Sequence, residues 1–413
     1  MGRKSGLGLL IFIYCGLLWI VASAASRRNG FAWVLAGLVA LVFVLRRYRD
    51  GRPETLYRAC YALLLAAVTA LGIEALLWLR PSLLQGAVAN KLYSRNHVYT
   101  GGVYERDRHI GYSMRPDCHA LTYWNGYWWR HDTNDAGFRG PALDHAEAVF
   151  LGDSMIYGHG VETDQTVPAR IQALSGLPTA NLGESATALV QSSILLRRKG
   201  LRLRPKVVFV CSHPNDLDDN RELYEDPELR RFLSEPDYLP VVKERDLWPR
   251  PWYDLFELWS RRLALPLRSS GLAGTLAKAA WNGTLKLRRG GEPVVSKPFL
   301  PPDEYVALPF APVLPGAGEK DALEWRVHRR AVATIHRLAD GIGARVVLFD
   351  IGYPTAFSRA IEDLARDEGV GYSPAGRAIL ARARAGEEMY LRDDGHWTPA
   401  GSGAMARELL RSW

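Results

Sequence analysis

The stretch Val149–Gly160, VFLGDSMIYGHG, decides how the second half of this chain is read. Three apolar residues run into Gly-Asp-Ser and then into a turn punctuated by glycines. A short apolar run bounded by glycine is the signature of a parallel strand buried on both faces. Gly, Asp and Ser are also the ordinary vocabulary of turns and helix caps. Taken alone, Ser154 therefore reads equally as a nucleophile or as the polar start of a loop.

Working outward, the strand covers Ala148–Leu151 and a helix is expected near Val167–Ala173. Thr179–Leu182 leads into Gly183, then a polar turn and a helix through Leu195. Lys206–Cys211 (KVVFVC) and Ala344–Phe349 (ARVVLF) are further strands. Ahead of the last one, Asp321–Ala339 carries Leu323, Val327, Ala331, Ile335 and Leu338, a helical stripe opened by an Asp-x-x-Glu capping pattern. Thr398-Pro399 starts a final helix, with Thr as N-cap and Pro in the first position. This alternation predicts an α/β fold, a flavodoxin-like doubly wound parallel sheet with its active groups at the carboxyl ends of the strands.

Four residues sit at such ends: Ser154, Gly183 in NLGES, Asn215 in VVFVCSHPND, and His396 in the loop RDDGHWTPAG. In this order they resemble the SGNH, or GDSL-type, hydrolases. The resemblance covers roughly Ala146–Trp413, and NDAGFRGP also looks like the region before the nucleophile in envelope-associated members. It implies the SGNH hydrolase fold, with Ser154 as nucleophile and His396 as base. It assigns the oxyanion donors to the N–H of Ser154 and Gly183 and to the side-chain amide of Asn215. The last block, Asp-x-x-His, pairs Asp393 with His396; Asp394 is the rival carboxylate, and the three-residue spacing favours Asp393.

These residue types suit acyl transfer. A serine hydroxyl needs a base as it attacks, imidazole titrates near neutrality, and a carboxylate on its far nitrogen fixes the tautomer. Two departures stand out. His213 occupies the position where the family has glycine, and it reads either as a substrate contact or as a loop residue. A segment of about a hundred residues, 217–320, is inserted after Asn215 and reads as a cap or partner-binding insertion. Asp153 and Asp216 are expected to hold their loops by bonding backbone N–H groups. His159, His328 and His336 are expected to be structural or exposed. No metal-ligand spacing is present, and no cofactor is implied.

The first eighty residues are different in kind. Apolar segments cover about 7–25, 31–45 and 57–79, and the first and third are long enough to span a bilayer. MGRK and Ala22-Ser23-Ala24 also resemble a signal peptide, but two further apolar segments argue against cleavage. With three spans, Arg3, Lys4 and the basic run from Arg46 to Arg58 fall on one side, and Arg27 and Arg28 on the other. The richer side is cytoplasmic by the charge rule, which puts everything after Arg80 outside. Glu74 within the third segment is costly in a membrane unless it is paired or near the interface.

The net charge of +8 does not indicate a nucleic-acid binder, because the arginines are scattered or lie beside apolar runs. Cys15, Cys60, Cys118 and Cys211 are far apart, so free thiols are expected unless Cys118 and Cys211 meet. The chain thus divides into a transmembrane region (1–80), a linker and aromatic hairpin (81–145), and the hydrolase-like domain (146–413). Asn125-Gly126 marks the hairpin turn.

The expected protein is a serine esterase or O-acyltransferase, multi-pass in a bacterial inner membrane with its catalytic domain periplasmic. Its expected partners are the lipid bilayer, an acylated envelope glycan bearing O-acyl, chiefly acetyl, groups, and a membrane protein, with no nucleic acid. A lipase or thioesterase, and a non-catalytic assembly subunit of a polysaccharide-modifying complex, are the alternatives.

Overall fold

The computed structural model describes residues 102–243, 322–353, 355–392 and 394–413, with scattered positions between 58 and 98. The apolar segments 7–25 and 31–45 lie outside these residues, as do much of 57–79 and residues 244–320 of the insertion. Described positions between 58 and 76 are helical. Among the described residues no helix is long and apolar enough to cross a membrane. The chain divides into two units, one of 1–94, 124–126 and 250–292, the other of 95–123, 127–249 and 293–413. In the first, the side chains of Asn90 and Asn125 bond at 2.7 Å, and the Asn125 N–H donates to Asn90 Oδ1 at 2.8 Å.

The second unit starts with two antiparallel pairs. Strands β1 (Tyr104–Asp107) and β2 (Gly111–Met114) occupy a stretch whose polar sequence reads partly as linker. Asp107 closes their turn by accepting from the N–H groups of His109 and Ile110 at 2.7 and 3.0 Å. Strands β3 (His119–Trp124) and β4 (Tyr127–Asp132) form the aromatic hairpin. Asn125 and Gly126 have φ of 45° and 98°, the two positive values that a type I′ turn requires.

The main sheet contains β5 (Ala148–Leu151), β6 (Thr179–Asn181), β7 (Val207–Ser212), β8 (Arg345–Asp350) and β9 (Gly371–Ser373). Every pairing is parallel, in the order β6-β5-β7-β8-β9, which is the 2-1-3-4-5 order of a doubly wound sheet. The β5–β7 register sets Phe150 opposite Phe209, whose rings stack at 4.7 Å. Because side chains alternate along a strand, Ala148, Phe150, Val207, Phe209, Val347 and Phe349 share one face and one core.

The α-helices given by their ends in this unit are α1 (Ser154–Tyr157), α2 (Val167–Ser175), α3 (Leu189–Leu195), α4 (Asp216–Leu223), α5 (Asp226–Ser234), α6 (Leu323–Asp340), α7 (Thr355–Asp367), α8 (Ala375–Arg384) and α9 (Pro399–Leu410). Ile171 of α2, Ile379 of α8 and Met405 and Leu409 of α9 close the core on that face. Helix α6 packs against α3, α4 and β8, and its buried His328 lies edge-on to Phe357 of α7.

The last helix starts as its sequence implies, with Thr398 Oγ1 accepting from the Gly401 N–H at 3.0 Å. Helix α6 does not. Its N-cap is Ala322, with no side-chain cap, and Glu324 turns to the Arg221 guanidinium at 2.6 Å. A charge-assisted bond to a partner from α4 outcompetes the local cap. Asp321 lies outside the described residues. Cys118 and Cys211 are free thiols, so they do not pair; Cys15 and Cys60 lie outside the described residues.

Candidate active site

The nucleophile candidate sits where β5 turns into α1. Gly152 has φ of 152°, and a Cβ there would lie 2.9 Å from the Cys211 Cβ of β7, so only glycine lets the two strand ends close. Asp153 then caps α1, its Oδ1 accepting from the Met155 N–H at 2.9 Å. This leaves Ser154 as the first residue of the helix. Its own N–H has no intrahelical acceptor and is available to an incoming oxygen.

His396 Nε2 lies 2.7 Å from Ser154 Oγ. Its Nδ1 bonds Asp394 Oδ1, and the same oxygen accepts from the His396 backbone N–H at 3.0 Å. The spacing of the motif points to Asp393, which lies outside the described residues; the carboxylate that meets the imidazole is Asp394. The reason is local. In a tight turn a carboxylate bonds the backbone two residues on, and here that geometry brings the same oxygen to the ring. The turn is closed by the Leu391 N–H to His396 O at 2.8 Å and the Asp394 N–H to Leu391 O at 3.2 Å. Burial opposes ionisation of Asp394, but the bonds from His396 prevail and hold its pKa at about 2.

His159 has a larger part than its sequence suggests. It is buried and stacks on His396 with ring centroids 4.5 Å apart and planes at 26°, while Trp129 lies 4.6 Å from it. Burial, and then the neighbouring His396, push its pKa well below the ordinary histidine value. A neutral ring therefore backs the imidazole that must become a cation. His159, Asp394 and His396 bring their ligand atoms within 4.8 Å of one another.

The oxyanion candidates differ among themselves. Asn215 Oδ1 faces His213 Nδ1, and its Nδ2 donates to no described residue. Gly183 packs against α1 so closely that a Cβ would lie 2.4 Å from the Tyr157 nitrogen. Its N–H donates to Asn181 Oδ1 at 3.0 Å and would have to exchange that partner to reach an oxyanion. Asp216 holds the Asn215 loop, its Oδ2 accepting from the His213 N–H at 2.9 Å.

The hairpin supplies residues that the motifs do not mark. Trp129 Nε1 donates to Tyr157 Oη at 3.2 Å, and His131 Nδ1 lies 2.8 Å from the same hydroxyl. Arg139, only 2% exposed, donates from Nη1 to the carbonyls of Tyr157 and Gly158 at 3.0 and 2.7 Å. Its Nη2 reaches the carbonyls of Val161 and Arg130 at 2.8 and 3.0 Å. On the histidine side, Tyr127 Oη accepts from the Arg392 N–H at 2.6 Å. The nucleophile turn and the histidine loop are thus both tied to β4 and the segment after it. The aromatic hairpin and NDAGFRGP are marked in the sequence as segments, but the contacts themselves join residues too distant in sequence to show a pattern.

Glu184, next to Gly183, is fully buried, and burial raises its pKa from 4.5 to about 7. Its Oε1 accepts from the Met114 N–H at 2.9 Å. A carboxyl with a raised folded-state pKa holds its proton more tightly in the native state, so stability falls as pH rises through the window from 4.5 to about 7. Glu184→Gln is expected to remove that slope. Denaturant melts at pH 5 and pH 8 should show wild type losing up to about 3 kcal/mol more than the variant across the interval.

Neither a family model nor a curated protein matches the chain. Solved structures do. A protein of the G-D-S-L family from Desulfitobacterium hafniense DCB-2 superposes with a TM-score of 0.35 and 9% identity, over 65% of this chain and 100% of that one. TesA gives 0.33 and 14%, over 64% and 96%. A variant of Axe2, an acetyl xylan esterase from Geobacillus stearothermophilus, gives 0.32 and 11%, over 65% and 94%. At that level of likeness the chemistry rests on this chain's own residues.

Proposed function

We propose that this chain is a serine esterase or O-acyltransferase of the SGNH type, anchored in a bacterial inner membrane and acting outside the cytoplasm on O-acyl groups of an envelope glycan. One observation carries the catalytic part: Ser154 Oγ, His396 and Asp394 form a continuous hydrogen-bonded chain between the turn after β5 and the loop before α9. As Oγ attacks the ester carbon, its proton passes to His396 Nε2, and the Asp394 carboxylate steadies the imidazolium. The carbonyl oxygen gains charge and is met by the Ser154 N–H and the Asn215 amide. The ester C–O bond then breaks and Nε2 returns the proton to the leaving alkoxide. Water or a sugar hydroxyl resolves the acyl-enzyme by the same steps in reverse.

The three apolar segments and their basic flanks support the anchoring. The half-buried rings of Tyr127 and Trp128, on the strand tied to the histidine loop, support a sugar-bearing substrate. The test uses the full chain in detergent, a serine-reactive fluorophosphonate, and acetyl and long-chain p-nitrophenyl esters. Labelling is expected in wild type and lost in Ser154→Ala, with acetyl esters turned over faster. Persistent labelling of the variant defeats the assignment of the nucleophile, and a long-chain preference points instead to a lipase.

A further inference from the structure

The loop that follows β6 holds a backbone conformation that its sequence does not favour. Ala186 has φ of 53°, in the left-handed region where a Cβ crowds the following carbonyl. Asn and Asp visit that region by bonding the backbone locally, and alanine has nothing to bond with. Something outside the residue must keep it there.

The neighbour that does so is Tyr112 of β2. Its Oη donates to the carbonyls of Ser185 and Ala186 at 2.7 and 2.9 Å, sharing one proton between them. Thr187 Oγ1 donates to the Glu184 carbonyl at 2.8 Å, so three successive carbonyls of the loop are engaged. The N–H and C=O of one peptide point in opposite directions, so tying the Ser185 carbonyl to Tyr112 turns the Ala186 N–H away from β2. That N–H donates to no described residue. Ala186 is exposed, while Ser185 and Thr187 on either side of it are buried.

The register of the sheet says where this N–H lies. The Leu182 N–H donates to Phe150 O at 2.9 Å and the Glu184 N–H to Gly152 O at 3.1 Å. One more step of two residues brings Ala186 level with Ser154. Gly183, by contrast, has its N–H on Asn181 Oδ1 and is packed against α1.

We propose that Tyr112 is a positioning residue of the oxyanion site: by holding the Ser185 and Ala186 carbonyls it keeps Ala186 left-handed and presents the Ala186 N–H, in place of the Gly183 N–H, to the oxyanion. The proposal rests on the serine-esterase reading above. It gives the β1–β2 pair, which precedes every motif residue in the chain, a part in the chemistry.

Turnover of p-nitrophenyl acetate by the full chain in detergent tests it, with thermal melts to confirm folding. Tyr112→Phe removes the hydroxyl and keeps the ring that lies against Tyr104. It should lower kcat at least about tenfold, within the usual cost of an oxyanion donor, with KM nearly unchanged. Adding Ala186→Gly, which adopts the same φ without a tie, should return kcat to within about threefold of wild type. Ala186→Val, which opposes that φ while Tyr112 stays, should lower kcat by about tenfold. Asn181→Ala, which frees the Gly183 N–H, should not raise kcat. An unchanged kcat in a folded Tyr112→Phe, a loss confined to KM, a double variant no faster than Tyr112→Phe, or a rise of about threefold or more in Asn181→Ala overturns the proposal. Where Tyr112→Phe does not fold, an unchanged kcat in Ala186→Val does the same. Wild-type turnover by Ser154→Ala overturns the esterase reading and this proposal together; an inactive Ser154→Ala with an unaffected Tyr112→Phe overturns this proposal alone.

Discussion

Asp394→Asn is expected to lower kcat on a model acetyl ester about 10⁴-fold with little change in KM, in line with the loss seen when a triad carboxylate becomes an amide. The Asp394 carboxylate accepts from both His396 Nδ1–H and the His396 backbone N–H. Both bonds end on the one oxygen Oδ1, so an amide keeps them only by placing its own oxygen there, where, being neutral, it steadies the imidazolium less well. With its NH₂ there instead, it donates to Nδ1, the proton moves to Nε2, and the imidazole can no longer take one from Ser154. Asp393→Asn separates the two neighbouring carboxylates, since a loss confined to Asp394→Asn identifies the working one. The same pairing has a stability signature. Its contribution is fully present above the ordinary 3.8 and is lost as the pH falls toward about 2, so wild type should outlast the variant in melts at neutral pH and converge with it in strong acid.

Arg139→Met should be the most destabilising of the substitutions considered, by about 3–5 kcal/mol in urea unfolding. The guanidinium is buried and no carboxylate lies within ion-pair distance of it among the described residues; its partners are carbonyls of Arg130, Tyr157, Gly158 and Val161, with Thr163 Oγ1 at 3.3 Å. Burial lowers its pKa, yet both Nη groups face acceptors, with Nε left unpartnered among the described residues, so the cation is held by dipoles. Met fills the volume and leaves those carbonyls without donors. Arg139→Lys should rescue little, because an ammonium has fewer donors and no planar fork. Because the same turn carries His159 to its place against His396, kcat should fall along with stability.

The strands of the sheet that position Ser154, Asn215 and Gly183 were legible because buried parallel strands are written as unbroken apolar runs that end at glycine or polar residues. β9 was not, since GYS is three residues long and partly exposed. The choice between Asp393 and Asp394 was illegible for another reason. Motif spacing counts residues, whereas the ring meets whichever carboxylate the turn swings inward. The Asp-x-x-Glu pattern before α6 misled because Arg221, a hundred residues away in sequence, competes for Glu324. His159 looked structural since nothing local shows that a loop after α1 will lie against a loop before α9. The roles of Trp129 and His131 depend on contacts made only once the sheet has brought distant turns together.

One consequence of the hairpin contacts concerns where the working unit begins. Ser154 and His396 are 242 residues apart in the chain, yet must stay within a hydrogen bond of each other. Tyr127 grips the loop of the histidine, while Trp129 and His131 grip the turn of the serine. A chain starting at Ala146 would keep every motif residue and lose the splint that spans them. The recognisable hydrolase core and the smallest piece able to keep its two halves in register are therefore different lengths of protein, and the aromatic segment ahead of the motif belongs to the second.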